Sequence, residues 1–292
     1  MKKHNAFTMI ELIFVIVIMG ILGKFGVEFL AQAYNSFIFS KINNELQSQS
    51  ELAVEMIAKR LEYRITPSTI KRIQSSNYFQ SASSNVTNPD DYNILEWIGY
   101  DIDGFRGDTK PLWSGILDFD TTLTTVNKLY SPDTNTTAID NLIKTLSYNT
   151  SDISHAALFF NDSDYDLNSS FGWDGAITEN NNSGIHRIDK NGTPEEFVPE
   201  VGSFVGLNIY RRYYLAWSAY AIVHENNQLI FYYNYQPWEG ESYDTDGTST
   251  ILMENVSTFR IKPNDKLFNI MVCVKSTLTN QEHAICKEKV IF

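Results

Sequence analysis

The sequence predicts an α+β protein in which a long N-terminal helix packs its second half on an antiparallel β-sheet, with a large loop-rich insertion between the two. Three observations carry this. Apolar residues run from Phe7 to Gly23 and then recur at helical spacing as far as Ile65, with no proline between Met1 and Arg64. From Val205 onward, short aromatic and β-branched segments alternate with turn formers. Between these parts lies a stretch rich in Ser, Thr, Asn, Asp and Gly. The composition is compatible. In 292 residues, 43% hydrophobic and 13% aromatic side chains can build a core, which excludes wholesale disorder. A formal net charge of −12 argues against a nucleic-acid groove, which needs clustered Lys and Arg. Two cysteines exclude a disulfide-dense scaffold and a four-cysteine zinc site. A mean hydropathy of −0.24 excludes a polytopic membrane protein but leaves room for one span.

Residues 7–30 supply that span. Lys2 and Lys3 precede a run that is apolar except for Thr8 and Glu11, and Lys24 and Glu28 fall near its far end. Basic residues before the span favour its cytoplasmic side, so the remainder faces outward. Glu11 is the odd residue. A carboxylate inside a membrane helix costs about 2.5–3.5 kcal/mol or more and normally has a partner and a role. A secretory signal peptide is the ordinary alternative, and Ala31-Gln32-Ala33 supplies a small-x-small site. That site lies well beyond the apolar run, and the run itself would carry a carboxylate.

Residues 31–66 continue the helix. Ile38, Ile42, Leu46, Ala53, Ile57, Leu61 and Ile65 form an apolar stripe with Leu52 and Met56 beside it, Gln49 interrupts it, and Pro67 ends it. A helix over 7–65 is about 90 Å long at 1.5 Å per residue, with Gly20, Gly23 and Gly26 as its weak points. Residues 67–204 form the variable, loop-rich part. Residues 75–92 and 161–203 read as loops, Ile94 to Ile102 as a strand or short helix, Ala138 to Leu146 as a helix, and Ala156 to Phe160 as a strand. In 205–292, Leu207 to Val223 reads as two strands or one bent strand. Asn226-Asn227 is a turn before a strand at Gln228 to Tyr235, and Ile251 to Pro263, Phe268 to Lys275 and Ala284 to Phe292 complete a C-terminal antiparallel sheet.

The segment Ala6-Phe7-Thr8-Met9-Ile10-Glu11-Leu12 resembles the processing signal of type IV pilins and pseudopilins: a short basic leader, a small residue, then Phe-Thr-Leu-Ile-Glu-Leu and an apolar helix. Ala6 stands where Gly is usual, and Met9 where Leu is usual. The resemblance implies a leader over 1–6, cleavage between Ala6 and Phe7 by prepilin peptidase, and N-methylation of Phe7. It also implies a fibre-assembly ion pair between Glu11 and the terminal amine of a neighbouring subunit. Such a pair gives each buried charge its opposite. The stretch LMENVSTFRIKP with FNIMVCVK is similar to the C-terminal region of minor pseudopilins, particularly the J-type component of type II secretion. The resemblance therefore implies a pilin-like minor subunit of a type II secretion pseudopilus or a related DNA-uptake fibre. It would be a single-pass inner-membrane protein with a periplasmic head, becoming extracellular or periplasmic on assembly. Its partners would be prepilin peptidase, other major and minor pseudopilins, an inner-membrane assembly platform and the membrane itself, with no nucleic acid. The alternative class is a membrane-anchored or secreted adhesin or carbohydrate-binding module.

Cys273 and Cys286 flank a turn at Thr279-Asn280-Gln281 and lie on facing predicted strands. In an oxidising compartment they are expected to form a disulfide, and C-terminal disulfides recur among pilins. No cofactor is implied; calcium is the one candidate ion. Asp162, Asp164 and Asp166 alternate like the opening of a calcium loop, although Leu167 stands where Gly is needed and Trp173 where the closing Glu belongs. Glu241, Asp244, Asp246 and Gly247 form a second acidic turn, and Asp101, Asp103 and Asp108 a third. Asn135, Asn168, Asn181 and Asn191 sit in acidic-x-Asn-x-Ser/Thr stretches of the kind some bacteria glycosylate. Catalytic motifs are lacking. Ser68-Thr69-Ile70-Lys71 fits Ser-x-x-Lys without its companion motif, and His155, His186, His224 and His283 have no ligand spacing, so a non-enzymatic role is expected. Trp173, Trp217, Trp238, Tyr232, Tyr233 and Tyr235 would suit a sugar surface if exposed, but alternation on strands makes core packing the default.

Overall fold

The computed structural model describes residues 8–179, 184–264, 267–276 and 284–292. Helix α1 spans Met9–Leu61 and runs unbroken through Gly20, Gly23 and Gly26. It stops before Ile65 because the chain there joins a strand edge: the Ile65 N–H donates to the Ile98 carbonyl at 2.8 Å. Pro67, inside a separate 3-10 turn over Thr66–Ser68, has no N–H to extend the α-helical ladder. Then follow β1 (Ile70–Arg72), β2 (Phe79–Ser81), β3 (Ile94–Gly99), the single-turn helix α2 (Ile102–Arg106), β4 (Leu129–Tyr130) and α3 (Thr136–Leu146). Next come β5 (Ala157–Phe160), β6 (Ile185–Lys190), β7 (Glu196–Pro199), β8 (Tyr213–Ala216) and β9 (Ser218–Glu225). The chain continues through β10 (Gln228–Tyr235), β11 (Thr248–Met253), β12 (Val256–Asn264), β13 (Leu267–Lys275) and β14 (Ala284–Ile291).

The strands form three antiparallel sheets. The central sheet has the order β11-β10-β9-β3-β1-β2, a second has β12-β13-β14, and the third has β4-β7-β6-β5-β8. Strand periodicity explains how they stack, since successive side chains point to opposite faces. On β3, Leu95 and Trp97 join the core around α1, while Ile94 and Ile98 join the core shared with the third sheet. On β5, Ala157 and Phe159 face that shared core, and Leu158 and Phe160 face a third core containing Ile139 and Ile143 of α3. Strands buried on both faces show continuous apolar runs rather than alternation. This is the pattern of Ala156 to Phe160.

The second half of α1 lies in the angle between the central sheet and the β12–β14 sheet, burying Ile42, Leu46, Ala53, Val54, Ile57 and Leu61. The interruption at Gln49 is bridged by Ser50, which is fully buried and satisfies its hydroxyl on the Gln47 carbonyl at 3.1 Å. Leu52, placed beside the stripe, is exposed.

The structure refines the reading of 67–204. This span contributes β1 to β7, with β2 inside the expected loop 75–92 and β6 and β7 inside the expected excursion 161–203. Those strands are short, and their apolar residues are few: Ile185, Ile188 and Phe197 carry the burial. Leu207 to Val223 yields two strands in different sheets, the chain crossing over at buried Trp217. The Asn226-Asn227 turn has φ of 52° and 60°, the left-handed geometry a tight hairpin requires.

Cys273 and Cys286 are directly paired across β13 and β14 and are joined in a disulfide with a Cα–Cα distance of 3.9 Å. The turn at Thr279-Asn280-Gln281 lies outside the described residues. In the chain-entropy account such a link contributes about 2–3 kcal/mol. Reduction, or the Cys273→Ser/Cys286→Ser pair, is expected to lower head stability by that amount in urea unfolding. β14 should stay docked, because its whole length pairs with β13 and Lys289 Nζ still meets Glu55 at 2.6 Å. An unchanged midpoint would show that the bond adds nothing to the hairpin.

Asp101 caps α2 through Oδ1, which accepts the Gly104 N–H at 3.1 Å, while its buried Oδ2 has no hydrogen-bond partner. Burial pushes this carboxyl up to about 6, against roughly 3.9 in an unfolded chain. A raised acid favours folding while it is protonated, so its contribution is full below pH 4 and is lost as pH rises to 6. The loss is on the order of 3 kcal/mol. Asp101→Asn keeps the capping oxygen and is expected to flatten the stability profile between pH 4 and 6. A profile identical to wild type would contradict this.

Candidate functional site

The first described residues are the most unusual part of the surface. Thr8 is the N-cap of α1. Its N–H and hydroxyl donate to the same Glu11 oxygen, Oε2, at 3.3 and 3.2 Å, and the Glu11 and Leu12 N–H groups donate to the Thr8 carbonyl. A carboxylate in the first turn also suits the positive end of the helix dipole. Among the described residues, the groups that donate to Glu11 are the neutral N–H and hydroxyl of Thr8.

From Thr8 to Phe37 every position is exposed, a projecting rod of about 45 Å at 1.5 Å per residue. Its side chains include Phe14, Ile16, Met19, Leu22, Phe25 and Phe29, each more than half exposed. An 18-residue window of α1 has a mean hydropathy of 2.3. The charged pair Lys24–Glu28, at 3.8 Å, interrupts the apolar surface beyond it. Soluble folds rarely leave so much contiguous apolar area in water, because each Å² costs roughly 25 cal/mol. The rod is long and apolar enough to cross a membrane, and equally suited to packing against like helices. The proposed cleavage and methylation residues, Ala6 and Phe7, lie outside the described residues.

A long apolar N-terminal helix, half projecting and half packed on antiparallel sheets, with loop-rich excursions, is a pilin-like fold. Residues 1–23 match the family described as the prokaryotic N-terminal methylation motif. Comparison with curated proteins and with solved structures returns no match. Motif and helix together are consistent with a prepilin- or pseudopilin-type protein.

The other expected sites are dispersed. Asp162 pairs with Arg212 at 2.9 Å, and Asp166 Oδ1 accepts the N–H groups of Asn168 and Ser169 to close its own turn. Asp162, Asp164 and Asp166 therefore do not converge, and among the described residues no group of three acidic, His or Cys side chains could hold a metal ion. The acidic turn at 241–246 is likewise closed by local hydrogen bonds, such as the Ser242 N–H to Asp246 at 2.9 Å. Asn135 is engaged as the N-cap of α3, accepting the Ala138 N–H at 3.0 Å, and Asn191 accepts the Thr193 N–H; Asn181 lies outside the described residues. Ser68 is fully buried and its Oγ bridges the Ile65 carbonyl and the Ile98 N–H, so Ser-x-x-Lys is structural here. His155, His186 and His224 each bond to different neighbours, and His283 lies outside the described residues. Trp173, Trp217, Trp238 and Tyr235 are buried.

One feature was not anticipated: a buried ion pair in the central sheet. Arg72 on β1 and Glu96 on β3 meet at 2.9 and 3.2 Å, exposed by only 5% and 1%. Charged residues flanked by Ile in Ile70-Lys71-Arg72-Ile73, and a single Glu within the apolar segment Ile94-Leu95-Glu96-Trp97-Ile98, are the signal that marks it.

Proposed function

We propose that this chain is a minor pilin or pseudopilin, a structural subunit of a type II secretion pseudopilus or a related DNA-uptake fibre. Prepilin peptidase would cut between Ala6 and Phe7 and Phe7 would be N-methylated. The carrying observation is Glu11, a carboxylate without a cationic partner among the described residues, at the head of an exposed apolar helix. The new amine of Phe7 on a staggered neighbour supplies the missing cation, and methylation keeps its charge. Before assembly the helix holds the chain in the inner membrane, with Lys2 and Lys3 on the cytoplasmic side and the head in the periplasm. An assembly platform then moves it into the fibre. The bulk of the three-sheet head favours a rare position, at a tip or base, over a closely packed shaft.

Intact mass and N-terminal sequencing of the protein from its native membrane test this reading. A chain starting at methylated Phe7 is the expected result. A chain starting at Tyr34 would mean an ordinary signal peptide and would overturn it.

A further inference from the structure

A cavity of about 400 Å³ opens where the ends of β1 and β10 and the middle of β3 meet two loops, 172–175 and 240–245. This is within the usual range of small-ligand sites, about 300–1,000 Å³. Its walls are held by backbone. Gly172, at φ 81°, sits so close to Pro237 that a Cβ would lie 2.1 Å from the Pro237 carbonyl oxygen, and the Ile177 N–H donates to the Trp238 carbonyl at 3.1 Å.

The charges inside are one-sided. Among the described residues Arg72 is the one cation lining the cavity, and all its N–H groups are engaged: two with Glu96, one with the Trp173 carbonyl, and two with the carbonyl and side chain of Asn77. It has no donor left for an anionic ligand. Glu96 is neutralised by that pairing. Asp174, Glu241 and Asp244 also line the cavity, and none has an ion-pair partner among the described residues. Glu241 accepts the Gln236 N–H at 2.8 Å and Asp244 the Ser242 hydroxyl at 2.7 Å, so each keeps a second oxygen for a further donor. Tyr235, also lining the cavity and 1% exposed, has a buried hydroxyl with no hydrogen-bond partner. Burial pushes the Tyr243 hydroxyl up, Glu96 and Asp244 add to the push, and Arg72 opposes it.

We propose that this cavity is a binding site for an organic cation, a primary ammonium or guanidinium group such as the end of a Lys or Arg side chain on a partner protein. Three carboxylates without an ion-pair partner among the described residues, against one fully engaged guanidinium, favour a cation whose N–H groups the Tyr235 oxygen can also accept, and carboxylates too dispersed to converge on one metal ion suit a group that spreads its N–H bonds. The site is separate from the projecting helix, so it does not depend on the fibre reading.

Calorimetric titration of the full chain in detergent tests it. The probes are Nα-acetyl-lysine amide, Nα-acetyl-arginine amide and putrescine, with Nα-acetyl-norleucine amide as the uncharged control and calcium chloride as the metal control. Saturable binding of the charged probes is expected, at least tenfold tighter than the control. Asp244→Asn and Asp174→Asn, both at exposed positions, should each weaken it several-fold without changing the unfolding midpoint. Tighter binding of an amino-acid amide than of putrescine would assign the source to a protein side chain; the reverse would assign it to a free diamine. Equal binding of norleucine amide, saturation by calcium alone, no binding by any charged probe at tens of millimolar, or unchanged binding in both variants would each overturn the proposal.

Discussion

Glu11→Ala is expected to leave the chain in the membrane but remove it from fibres. Alanine in place of a carboxylate makes membrane insertion easier by about 2.5–3.5 kcal/mol, so retention in the membrane fraction should be equal or better. Assembly should suffer in the opposite sense. In a staggered fibre the neighbour's Phe7 amine would be buried without its counter-charge, and breaking one side of a buried pair costs about 3–5 kcal/mol. At 1.4 kcal/mol per tenfold, incorporation should fall at least about a hundredfold. Two further variants separate charge from capping. Glu11→Gln keeps an oxygen to accept from Thr8 but lacks the charge, and should fail like alanine. Glu11→Asp keeps the charge at shorter reach and should retain partial incorporation. Quantifying the chain in sheared fibre and membrane fractions gives the answer. Wild-type incorporation of Glu11→Ala would sink the assembly role.

The largest expected effect on stability comes from Arg72→Met. It strands Glu96, which is 1% exposed, and releases the Trp173 and Asn77 carbonyls that Arg72 holds. The cost should be about 3–5 kcal/mol, roughly 10 °C in unfolding midpoint for a head of this size. Burial pushes the Glu96 carboxyl up even with the guanidinium beside it. Without Arg72 that upward push is unopposed, and an acid raised in the folded state loses its contribution as pH rises. The deficit of Arg72→Met should therefore be larger at pH 8 than at pH 5. Arg72→Met with Glu96→Leu replaces the pair by apolar side chains and should recover most of the loss, since a buried pair is worth little over a well-packed apolar substitute. A midpoint drop under about 2 °C for the single variant would show that water or rearrangement already satisfies Glu96.

Much of the architecture is legible in the chain because it is written at the level of local period. The absence of proline between Met1 and Arg64 and the spacing of Ile42, Leu46, Ala53, Ile57 and Leu61 specify one long helix and the face it buries. The Asn226-Asn227 turn and the strand after it are local too, since left-handed φ values and pleat alternation need no distant partner. The N-terminal motif is legible for the same reason: its residues act by position along one helix.

Assignments that depend on distant segments are different. Residues 67–204 look loop-rich because their strands are short and carry only a few apolar residues, such as Ile185, Ile188 and Phe197. They become strands when β3 finds β9 and β5 finds β8, pairings that local propensity does not encode. The pairing of Arg72 with Glu96 joins two strands, and the cavity beside it joins three strands and two loops. The helix, its apolar first half and the position of Glu11 can be read from the chain alone, because period and hydropathy act within a few turns. Which strands share a sheet, where the buried charges meet and where carboxylates gather around a cavity emerge in the folded molecule, because they follow from contacts between residues far apart in the chain.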